Sequence, residues 1–539
     1  MTQLNGGAAL VAALEIHGVD TVFGIPGTHN LSAFAALASS RIQCVLTRHE
    51  QGAGYAADGY ARVSGKPGVC LTTTGPAILN AAAAAAQAWS DSVPVLFVSP
   101  GMPTGHPGRG NGELHEVKDQ QAALEALVAY SHRVRSVEEI PGAVAQAFAA
   151  MRTGRPRPVH LEIPLDLLEA SAEVRLVDPI EPAVASARPE AVGAAARRLR
   201  GAQRPTLVVG GGARSAAGQV RRVAERLDAP VVTTANGKGV LDETHPLSVG
   251  AGLHHPSVRS LLEHSDVVLA VGTELAPSDL WNGPMVLDDK LVRVDIDAVS
   301  ITTNGNPSMR VVGDAAVVLD QLLTALGGED SDTASGDDAG RAAAARAGLR
   351  ADAAVEGEPW RDIVEGLSSV VGDDTVIAGD STMSCYYGVL SGVRVRRPAG
   401  FLYPTGGGTL GFGLPAAIGA ALAPGRPRVL ALLGDGGAMF TLPELATAAA
   451  LGLSLPIVVV DNGGYGEIRN EMADRGDPIE AVRLGGVDFA AAARALGCHG
   501  LAIRSAAELA PAVEKAFAAD RPTLLHITEN SRATQDGVV

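Results

Sequence analysis

The chain has 539 residues, 46% of them hydrophobic, so it is too long for one hydrophobic core and is predicted to form two to four domains. Its formal net charge of −16, without any basic run, argues against nucleic-acid binding. No apolar run approaches the ~20 residues of a membrane span and the first residues lack a signal-peptide pattern, which favours a cytoplasmic protein without a membrane partner.

Residues 1–170 are predicted to form the first α/β domain. It begins with an amphipathic helix over 6–17, and helical segments separate its apolar runs. Five of these runs have strand character: 21–23, 42–47, 68–73, 93–99 and 159–164. The alternation is typical of a doubly wound parallel sheet.

The ends of these strands carry residue types expected of a binding site. A Gly-Ile-Pro-Gly run at 24–27 precedes His29, and Glu50 begins a helix directly after a strand. Ligands of open α/β sheets bind at such carboxyl ends, although an acid at a helix start is also explained by the helix dipole. After a Gly/Pro-rich loop at 100–111 comes His115, which is interpreted as a proton donor, a carboxylate anchor or a surface-loop histidine.

A second α/β domain is predicted over 189–325, after a proline-bearing linker. Its strands are predicted at 206–209, 230–233, 266–271 and 291–295. A Gly-Gly-Gly run at 210–212 suggests a dinucleotide turn only weakly, because it is not Gly-x-Gly-x-x-Gly. The acidic segment 327–343 has no periodicity and is interpreted as a solvated linker.

The third domain, predicted over 352–528, contains the stretch on which the functional interpretation depends. Two apolar runs, 429–433 and 456–460, flank a helix predicted from about 441 to 451. A parallel right-handed crossover is the expected connection. It would place the Gly-Asp-Gly-Gly run at 434–437 and the Asp-Asn-Gly-Gly-Tyr-Gly run at 461–466 at the same edge of the sheet.

This edge is predicted to hold a magnesium ion and a diphosphate group. Asp435 offers a carboxylate oxygen, Asn462 an amide oxygen and Gly464 a backbone carbonyl, which are ligand types that Mg²⁺ prefers. The glycines let backbone N–H groups approach a phosphate. The alternative is that these runs are two ordinary turns.

The chain resembles the thiamin-diphosphate-dependent enzymes of the acetolactate synthase and 2-oxo acid decarboxylase family, which includes benzoylformate decarboxylase. The resemblance extends over nearly the whole chain in the right order, and two positions depart from it: Asp461 stands in place of the usual Asn, and Ala77 in place of the usual Gly. The motifs that carry it are Gly-Ile-Pro-Gly at 24–27, Arg-His-Glu-Gln-Gly-Ala at 48–53, Thr-Gly-Pro at 74–76, Gly-Phe-Gly-Leu-Pro-Ala-Ala at 411–417 and Gly-Asp-Gly at 434–436.

The resemblance implies that thiamin diphosphate and Mg²⁺ are the cofactors. Glu50 would hydrogen-bond the aminopyrimidine ring and favour its imino tautomer, whose nitrogen takes the thiazolium C2 proton to give the nucleophilic ylide. Leu410 would wedge between the two rings, its alternative being an ordinary core leucine.

Three sets of candidate residues follow from these patterns and the resemblance. The catalytic candidates are Glu50, His115 and His29. The metal-ligand candidates are Asp435, Asn462 and Gly464. The cofactor-binding candidates are Gly24, Pro26, Gly27, Ser381, Thr382, Leu410, Gly436, Gly437, Ala438 and Tyr465.

FAD, which biosynthetic acetolactate synthases hold in the central domain, is not expected here. The segment 272–279 lacks the arginine that those enzymes carry. Its acids, Glu274 and Asp279, are interpreted as solvated loop residues, with a pocket for a cationic substrate tail as the alternative.

The predicted activity is decarboxylation of a 2-oxo acid through an enamine that is protonated to an aldehyde. The motif around His115 resembles decarboxylases such as those for 5-guanidino-2-oxopentanoate. Acetolactate synthase, in which the enamine attacks a second 2-oxo acid, is the first alternative, and a non-catalytic nucleotide-binding protein is the second. The family also implies a dimer with shared active sites and a homotetramer, and the scattered Cys44, Cys70, Cys385 and Cys498 are expected to be reduced.

Overall fold

The computed structural model describes residues 1–327 and 338–529 and contains three six-stranded sheets. All pairings within these sheets are parallel, and helices cover them, which confirms the predicted α/β fold class. Most of the acidic segment that was predicted as a linker, and the last ten residues, lie outside the described residues. The described end of that segment, 338–343, is helical, so the linker prediction is wrong there.

The first unit has the sheet order β3-β2-β4-β5-β7-β6, and β1 pairs antiparallel with β8. Its strands are β1 (Thr2–Asn5), β2 (Thr21–Gly24), β3 (Gln43–Leu46), β4 (Gly68–Leu71), β5 (Val95–Gly101), β6 (Ser131–Arg133), β7 (Val159–Pro164) and β8 (Ser171–Val174). Its helices are α1 (Gly6–Ile16), α2 (Leu31–Leu37), α3 (Glu50–Ser64), α4 (Pro76–Asn80), α5 (Ala82–Ser90), α6 (Gln120–Glu125), α7 (Ile140–Arg152) and α8 (Leu165–Glu169).

The second unit has the sheet order β11-β10-β9-β12-β13-β14. Its strands are β9 (Pro205–Val209), β10 (Val231–Thr233), β11 (Ser248–Ala251), β12 (Val267–Val271), β13 (Leu291–Asp295) and β14 (Met309–Val312). Its helices are α9 (Pro189–Arg200), α10 (Ala217–Leu227), α11 (Pro256–Glu263), α12 (Pro277–Leu280) and α13 (Ala315–Leu326).

The third unit has the sheet order β16-β15-β17-β18-β20-β19. Its strands are β15 (Thr375–Gly379), β16 (Phe401–Leu402), β17 (Arg428–Gly434), β18 (Pro456–Asp461), β19 (His499–Ile503) and β20 (Thr523–Thr528). Helix α14 (Asp338–Glu356) precedes this unit and packs Ala342, Ala345 and Leu349 into the cores of the second unit. The helices of the third unit are α15 (Arg361–Val370), α16 (Leu390–Gly392), α17 (Gly413–Leu422), α18 (Asp435–Thr441), α19 (Glu444–Ala450), α20 (Gly466–Arg475), α21 (Phe489–Ala495) and α22 (Ala506–Phe517). Among the described residues, no helix combines the length and the apolar character needed to cross a bilayer.

Small residues let the first and third units pack closely. A Cβ added to Gly59 of α3 would lie 2.2 Å from the Ala416 carbonyl oxygen, and one added to Gly419 of α17 would lie 1.9 Å from that of Ala56. The two helix backbones are therefore in direct contact. This contact holds the carboxyl ends of the two sheets in one relative position, and both ends carry candidate site residues.

Arg62 is a fully buried cation at the junction of all three units. Its guanidinium donates to Asp58 (2.5 Å) and Asp91 (2.9 Å) of the first unit. It also donates to Asn236 Oδ1 of the second unit (2.9 Å) and to the Tyr403 carbonyl of the third (3.3 Å). Burial raises the pKa of Asp58, which makes a lone Asp58 carboxylate costly.

Replacement of Arg62 by methionine is expected to destabilise the protein by about 3–5 kcal/mol, because it leaves Asp58 buried without its partner. Urea unfolding followed by circular dichroism measures the loss. Arg221→Met, in the exposed pair with Glu225, is the matched control and should leave the unfolding midpoint unchanged. Equal effects of both substitutions would contradict the role given to Arg62.

Candidate active site

Strands β17 and β18 pair in parallel, so the motifs at their ends lie at the same edge of the third sheet, as predicted. Asp435 is the first residue of α18, and Asn462 follows β18 directly. The helix predicted from about 441 to 451 is wrong in its bounds. Two helices occupy this region, α18 (Asp435–Thr441) and α19 (Glu444–Ala450). They are separate because Pro443, between them, has no backbone N–H to continue the helical hydrogen bonds.

The Asp435 carboxyl lies in an environment that disfavours its charge. It is 5% exposed, and burial together with the neighbouring Asp461 carboxylate raises the pKa of Asp435 to about 6. Asp461 also forms an ion pair with His526, at 2.9 Å. A divalent cation at Asp435 would offset this cost, because it favours the ionised carboxylate.

The Asn462 side chain presents an unsatisfied acceptor. Its Oδ1 is buried and has no hydrogen-bond partner among the described residues. Its amide nitrogen lies 3.8 Å from the sulfur of Met383. A Cβ built on Gly436 would lie 3.8 Å from the Gly464 carbonyl oxygen, so this oxygen faces the start of α18. The three candidate metal ligands thus form an all-oxygen set of the kind that suits Mg²⁺.

The glycines at the start of α18 leave a space that side chains would fill. A Cβ on Gly434 would lie 2.7 Å from Thr382 Oγ1, and one on Gly436 would lie 2.9 Å from the Tyr465 ring. A Cβ on Gly437 would lie 3.1 Å from the Asp380 carboxyl. The candidates Thr382 and Tyr465 therefore border the backbone N–H groups that a phosphate would approach.

Asp380, at the end of β15, holds the turn that carries Leu410. Its buried carboxylate accepts hydrogen bonds from the backbone N–H groups of Ser381 (2.8 Å), Gly411 (3.0 Å) and Gly413 (3.2 Å). Burial raises the pKa of Asp380 to about 6 even though these N–H groups oppose the rise. Leu410 itself is half-buried. Sequence analysis did not identify Asp380 as a site residue, although an acid at a strand end was a usable signal.

Glu50 lies in the first unit, at the first position of α3. Its carboxylate accepts a hydrogen bond from Asn80 (3.0 Å) and is half-exposed. The approach to α3 is held by Glu444 of α19, whose carboxylate accepts from the N–H groups of Arg48 (2.9 Å) and His49 (3.0 Å). Glu444 is buried, which raises its pKa, and sequence analysis missed it because its partners are almost four hundred residues away.

His29 and His115 lie side by side in the first unit, which also carries Glu50. Their ring centroids are 5.1 Å apart, and the Nδ1 atom of each is buried without a hydrogen-bond partner among the described residues. Burial and the adjacent His115 lower the pKa of His29. The carbonyl of His115 lies against Gly75, where a Cβ would be 2.1 Å from it, and the side chain of Gln120 accepts from the Gly75 N–H (2.8 Å).

The Gly24–Gly27 turn is built around Asn30. Asn30 accepts from the Gly27 N–H (2.8 Å) and donates to the carbonyls of Ile25 (3.1 Å) and Thr72 (3.0 Å). A Cβ on Gly27 would clash with Thr73 at 2.9 Å. The cofactor-binding candidates Gly24, Pro26 and Gly27 therefore lie on a tightly held turn beside His29.

The structure gathers the candidates into two groups, one in the first unit and one in the third. The first group surrounds α18, and the second contains Glu50, His29 and His115. Among the described residues, no hydrogen bond or ion pair links Glu50 to Asp435 or Asn462. Both groups carry exposed apolar side chains: Leu31, Leu79 and Leu114 near the second, and Met439 and Phe440 near the first.

The interpretation of Glu274 and Asp279 as solvated loop acids is wrong. Both line a cavity of about 730 Å³ between the units. Glu274 pairs with Arg155 at 2.7 Å, and Asp279 accepts a hydrogen bond from the Ala235 N–H at 3.1 Å. Burial raises the pKa of Asp279 to about 7. The loop folds back onto β10, which local sequence patterns do not reveal.

Family models cover all three units. The N-terminal TPP binding domain of thiamine pyrophosphate enzymes matches residues 4–123, the central domain of these enzymes matches 192–322, and their C-terminal TPP binding domain matches 379–527.

Curated relatives cover most of the chain. A probable 2-ketoarginine decarboxylase of Pseudomonas aeruginosa is 43% identical, over 92% of this chain and 89% of its own length. A probable acetolactate synthase large subunit of Methanococcus aeolicus is 31% identical over 97% and 91%. An acetolactate synthase of Mycobacterium bovis is 32% identical over 93% and 84%.

Proposed function

Since the chain belongs to the thiamine pyrophosphate enzymes, we propose that it decarboxylates a 2-oxo acid with thiamin diphosphate and Mg²⁺, releasing carbon dioxide and an aldehyde. The single observation that carries the cofactor assignment is the buried, unpartnered Asn462 Oδ1 beside the crowded Asp435 carboxyl. The likeness to a 2-ketoarginine decarboxylase favours decarboxylation.

The residues at the third sheet fit the diphosphate and its metal. Asp435, Asn462 and the Gly464 carbonyl would ligate Mg²⁺. Backbone N–H groups of Gly436, Gly437 and Ala438, the hydroxyls of Ser381 and Thr382, and Tyr465 would hold the diphosphate. When bound, thiamin diphosphate supplies a carbon nucleophile and an electron sink that lets the substrate carboxylate leave as carbon dioxide.

The protein's own residues would orient the rings and move protons. The Glu50 carboxylate would hydrogen-bond the aminopyrimidine ring, with Gly24, Pro26 and Gly27 beside it and Asn80 fixing the carboxylate. Leu410 would keep the two rings bent towards each other. Its turn is held by hydrogen bonds from the N–H groups of Gly411 and Gly413 to Asp380, which would position the Leu410 side chain.

His29 and His115 would act on the substrate. Their unpartnered Nδ1 atoms offer either a proton or a hydrogen bond to a carboxylate, and a neutral His29 is favoured by its lowered pKa. The net reaction takes up one proton at the former carbonyl carbon, and the pair is the candidate source of that proton.

Replacement of His115 by glutamine is expected to lower kcat/KM by about 100-fold, since it removes one proton donor. Because the two rings touch, His29→Gln and the double substitution should each lose about as much, rather than multiplying. Steady-state kinetics on the 2-oxo acid measures this. The exposed His264→Gln serves as the control, and full activity of His115→Gln would overturn the assignment.

A dimer with shared sites is the proposed minimal assembly, and a homotetramer the complete one. Two features support this: no hydrogen bond or ion pair joins the two residue groups among the described residues, and exposed apolar side chains flank both. Mixing equal amounts of inactive Glu50→Gln and inactive Asp435→Asn protein under subunit exchange is expected to restore up to about a quarter of the wild-type activity, because about half of the dimers become hybrids and one of the two sites in each hybrid is intact.

Three domains complete the proposal, with the predicted bounds 1–170, 189–325 and 352–528 and with β8 added to the first domain because it pairs with β1. A cytoplasmic location is also proposed. FAD is not proposed as a cofactor. The cavity beside Glu274 is instead lined by both acids and arginines, among them Asp279 and Arg155, which are already engaged with protein partners.

Acetolactate synthesis is the second candidate, supported by relatives 31–32% identical over more than nine-tenths of the chain. Product analysis separates the two. Purified protein with both cofactors is given pyruvate or 5-guanidino-2-oxopentanoate, and carbon dioxide, aldehyde and acetolactate are measured separately. Aldehyde equal to carbon dioxide supports the proposal, whereas one acetolactate and one carbon dioxide for every two pyruvate molecules consumed would favour the synthase.

A further inference from the structure

A carboxylate surrounded by aromatic rings lies next to the proposed diphosphate residues. Glu467 is the second residue of α20, and Tyr465 of the proposed cofactor site directly precedes that helix. Its carboxylate accepts hydrogen bonds from the hydroxyls of Tyr387 (2.7 Å) and Tyr386 (3.2 Å). Both tyrosines lie on a π-helical turn, Ser384–Val389, which follows Met383, the residue in contact with Asn462.

Trp281 of the second unit completes this group, which we name the aromatic cage: Trp281, Tyr386, Tyr387 and Glu467. The indole meets both tyrosine rings edge-on, with centroids 6.1 Å and 5.6 Å away. It is exposed on one side, and on another it stacks on His254 at 3.8 Å. Trp360 stacks on Tyr387 at 5.8 Å, so the rings of the cage are fixed by packing.

The cage carries negative charge without a matching cation. Among the described residues, Glu467 has no ion-pair partner. The nearest cation on the same helix, Arg469, donates to the Asn462 carbonyl (3.3 Å). Glu356 and Glu471 add further negative charge within electrostatic reach of the Tyr387 hydroxyl, and Glu356 is engaged with His254 at 3.1 Å. Burial and the Glu467 carboxylate raise the pKa of both tyrosines, so their hydroxyls stay neutral donors.

We propose that the aromatic cage binds the positively charged tail of the 2-oxo acid, with Glu467 pairing with a guanidinium or ammonium group and the rings of Trp281 and Tyr386 covering it. A carboxylate gives a guanidinium charge-assisted hydrogen bonds, and aromatic faces attract cations. Both attractions are weak for a neutral tail. This inference rests on the proposed decarboxylation, and it deepens it by naming the substrate class and the residues that select it.

The test compares two substrates of nearly the same shape and different charge. These are 5-guanidino-2-oxopentanoate, whose tail is cationic, and 5-ureido-2-oxopentanoate, whose tail is neutral. Wild-type enzyme is expected to prefer the guanidino acid. Glu467→Gln should lower kcat/KM for the guanidino acid by about 10- to 100-fold, through KM, and change that for the ureido acid by less than about threefold.

Matched variants separate recognition from structure. Tyr387→Phe keeps the ring and removes the hydroxyl that orients Glu467, so a smaller loss confined to the guanidino acid is expected. Glu263→Gln, an exposed acid of α11, should change neither substrate. If Glu467→Gln lowers turnover of both acids equally, or if the wild type does not prefer the cationic acid, the inference is wrong.

A binding measurement keeps the inference distinguishable from the proposed function. The corresponding 2-hydroxy acids cannot be decarboxylated, and isothermal titration calorimetry reports their affinity for holoenzyme. Tighter binding of the guanidino acid, lost in Glu467→Gln, supports the cage even if no 2-oxo acid is turned over, in which case the decarboxylation alone fails. Equal binding of both hydroxy acids overturns the cage whatever the turnover.

Discussion

Replacement of Glu50 by glutamine is expected to lower kcat by about 10²- to 10⁴-fold and to leave the binding of thiamin diphosphate nearly unchanged. Glutamine keeps the size of the side chain and its contact with Asn80 but cannot favour the imino tautomer as a carboxylate does. Carbon dioxide release at saturating substrate measures kcat, and calorimetric titration with the cofactor measures binding.

The control for Glu50 is another glutamate exchanged in the same way. Glu190→Gln lies on the exposed face of α9 and should retain wild-type kcat. Near-normal turnover of Glu50→Gln would remove the carboxylate from the mechanism. Loss of cofactor binding alone would instead assign it a purely structural role.

Replacement of Asp435 by asparagine is expected to weaken retention of thiamin diphosphate and Mg²⁺ by about 100-fold or more. Losing groups that merely orient a metal ligand already costs ~10- to 100-fold in affinity, and Asp435 would be a ligand itself. The substitution removes the charge that the ion compensates and keeps the side chain's shape. Cofactor dissociation after gel filtration, with metal content measured by atomic emission, gives the result.

Asp461→Asn is the matched control, because it is the same change on the neighbouring carboxyl. It relieves the repulsion that helps to raise the pKa of Asp435 and leaves the proposed ligands in place. Retention of both cofactors is therefore expected. An Asp461→Asn protein that loses the metal, beside an Asp435→Asn protein that keeps it, would show that the two carboxylates have been assigned the wrong way round.

Local patterns predicted the framework and the principal motif well. The strands expected at 159–164 and 291–295 coincide with β7 and β13, because continuous apolar runs between turn residues are typical of buried parallel strands. The position of the Asp435 and Asn462 motifs at one edge of the sheet was also predicted correctly. Two consecutive strands that pair in parallel through one crossover must end at the same edge.

What the sequence did not reveal depends on contacts between distant segments. Glu444 approaches the start of α3 from the third unit, and Arg62 reaches carbonyl and amide groups of two other units. No local sequence pattern indicates either of these contacts. The split into α18 and α19 was missed because the glycines at 436 and 437 were taken as a turn, whereas they begin the helix.

The aromatic cage was missed for the same reason. Trp281, the tyrosines of the π-helical turn and Glu467 come from three separate segments and meet only in the folded chain. Of the acids suspected of receiving a cationic tail, Glu274 and Asp279 are engaged by Arg155 and the Ala235 N–H. Glu467, which forms no ion pair among the described residues, lies instead beside the motif that carries the proposed metal ligands.

The most direct test of the central claim is carbon dioxide release by cofactor-stripped protein given a panel of 2-oxo acids. Thiamin diphosphate and Mg²⁺ are added together, singly or not at all, and FAD is withheld throughout. Release that requires both additions and is accompanied by an equal amount of aldehyde is the predicted result. Release that is independent of thiamin diphosphate, or none from any acid with both cofactors bound, would contradict the account.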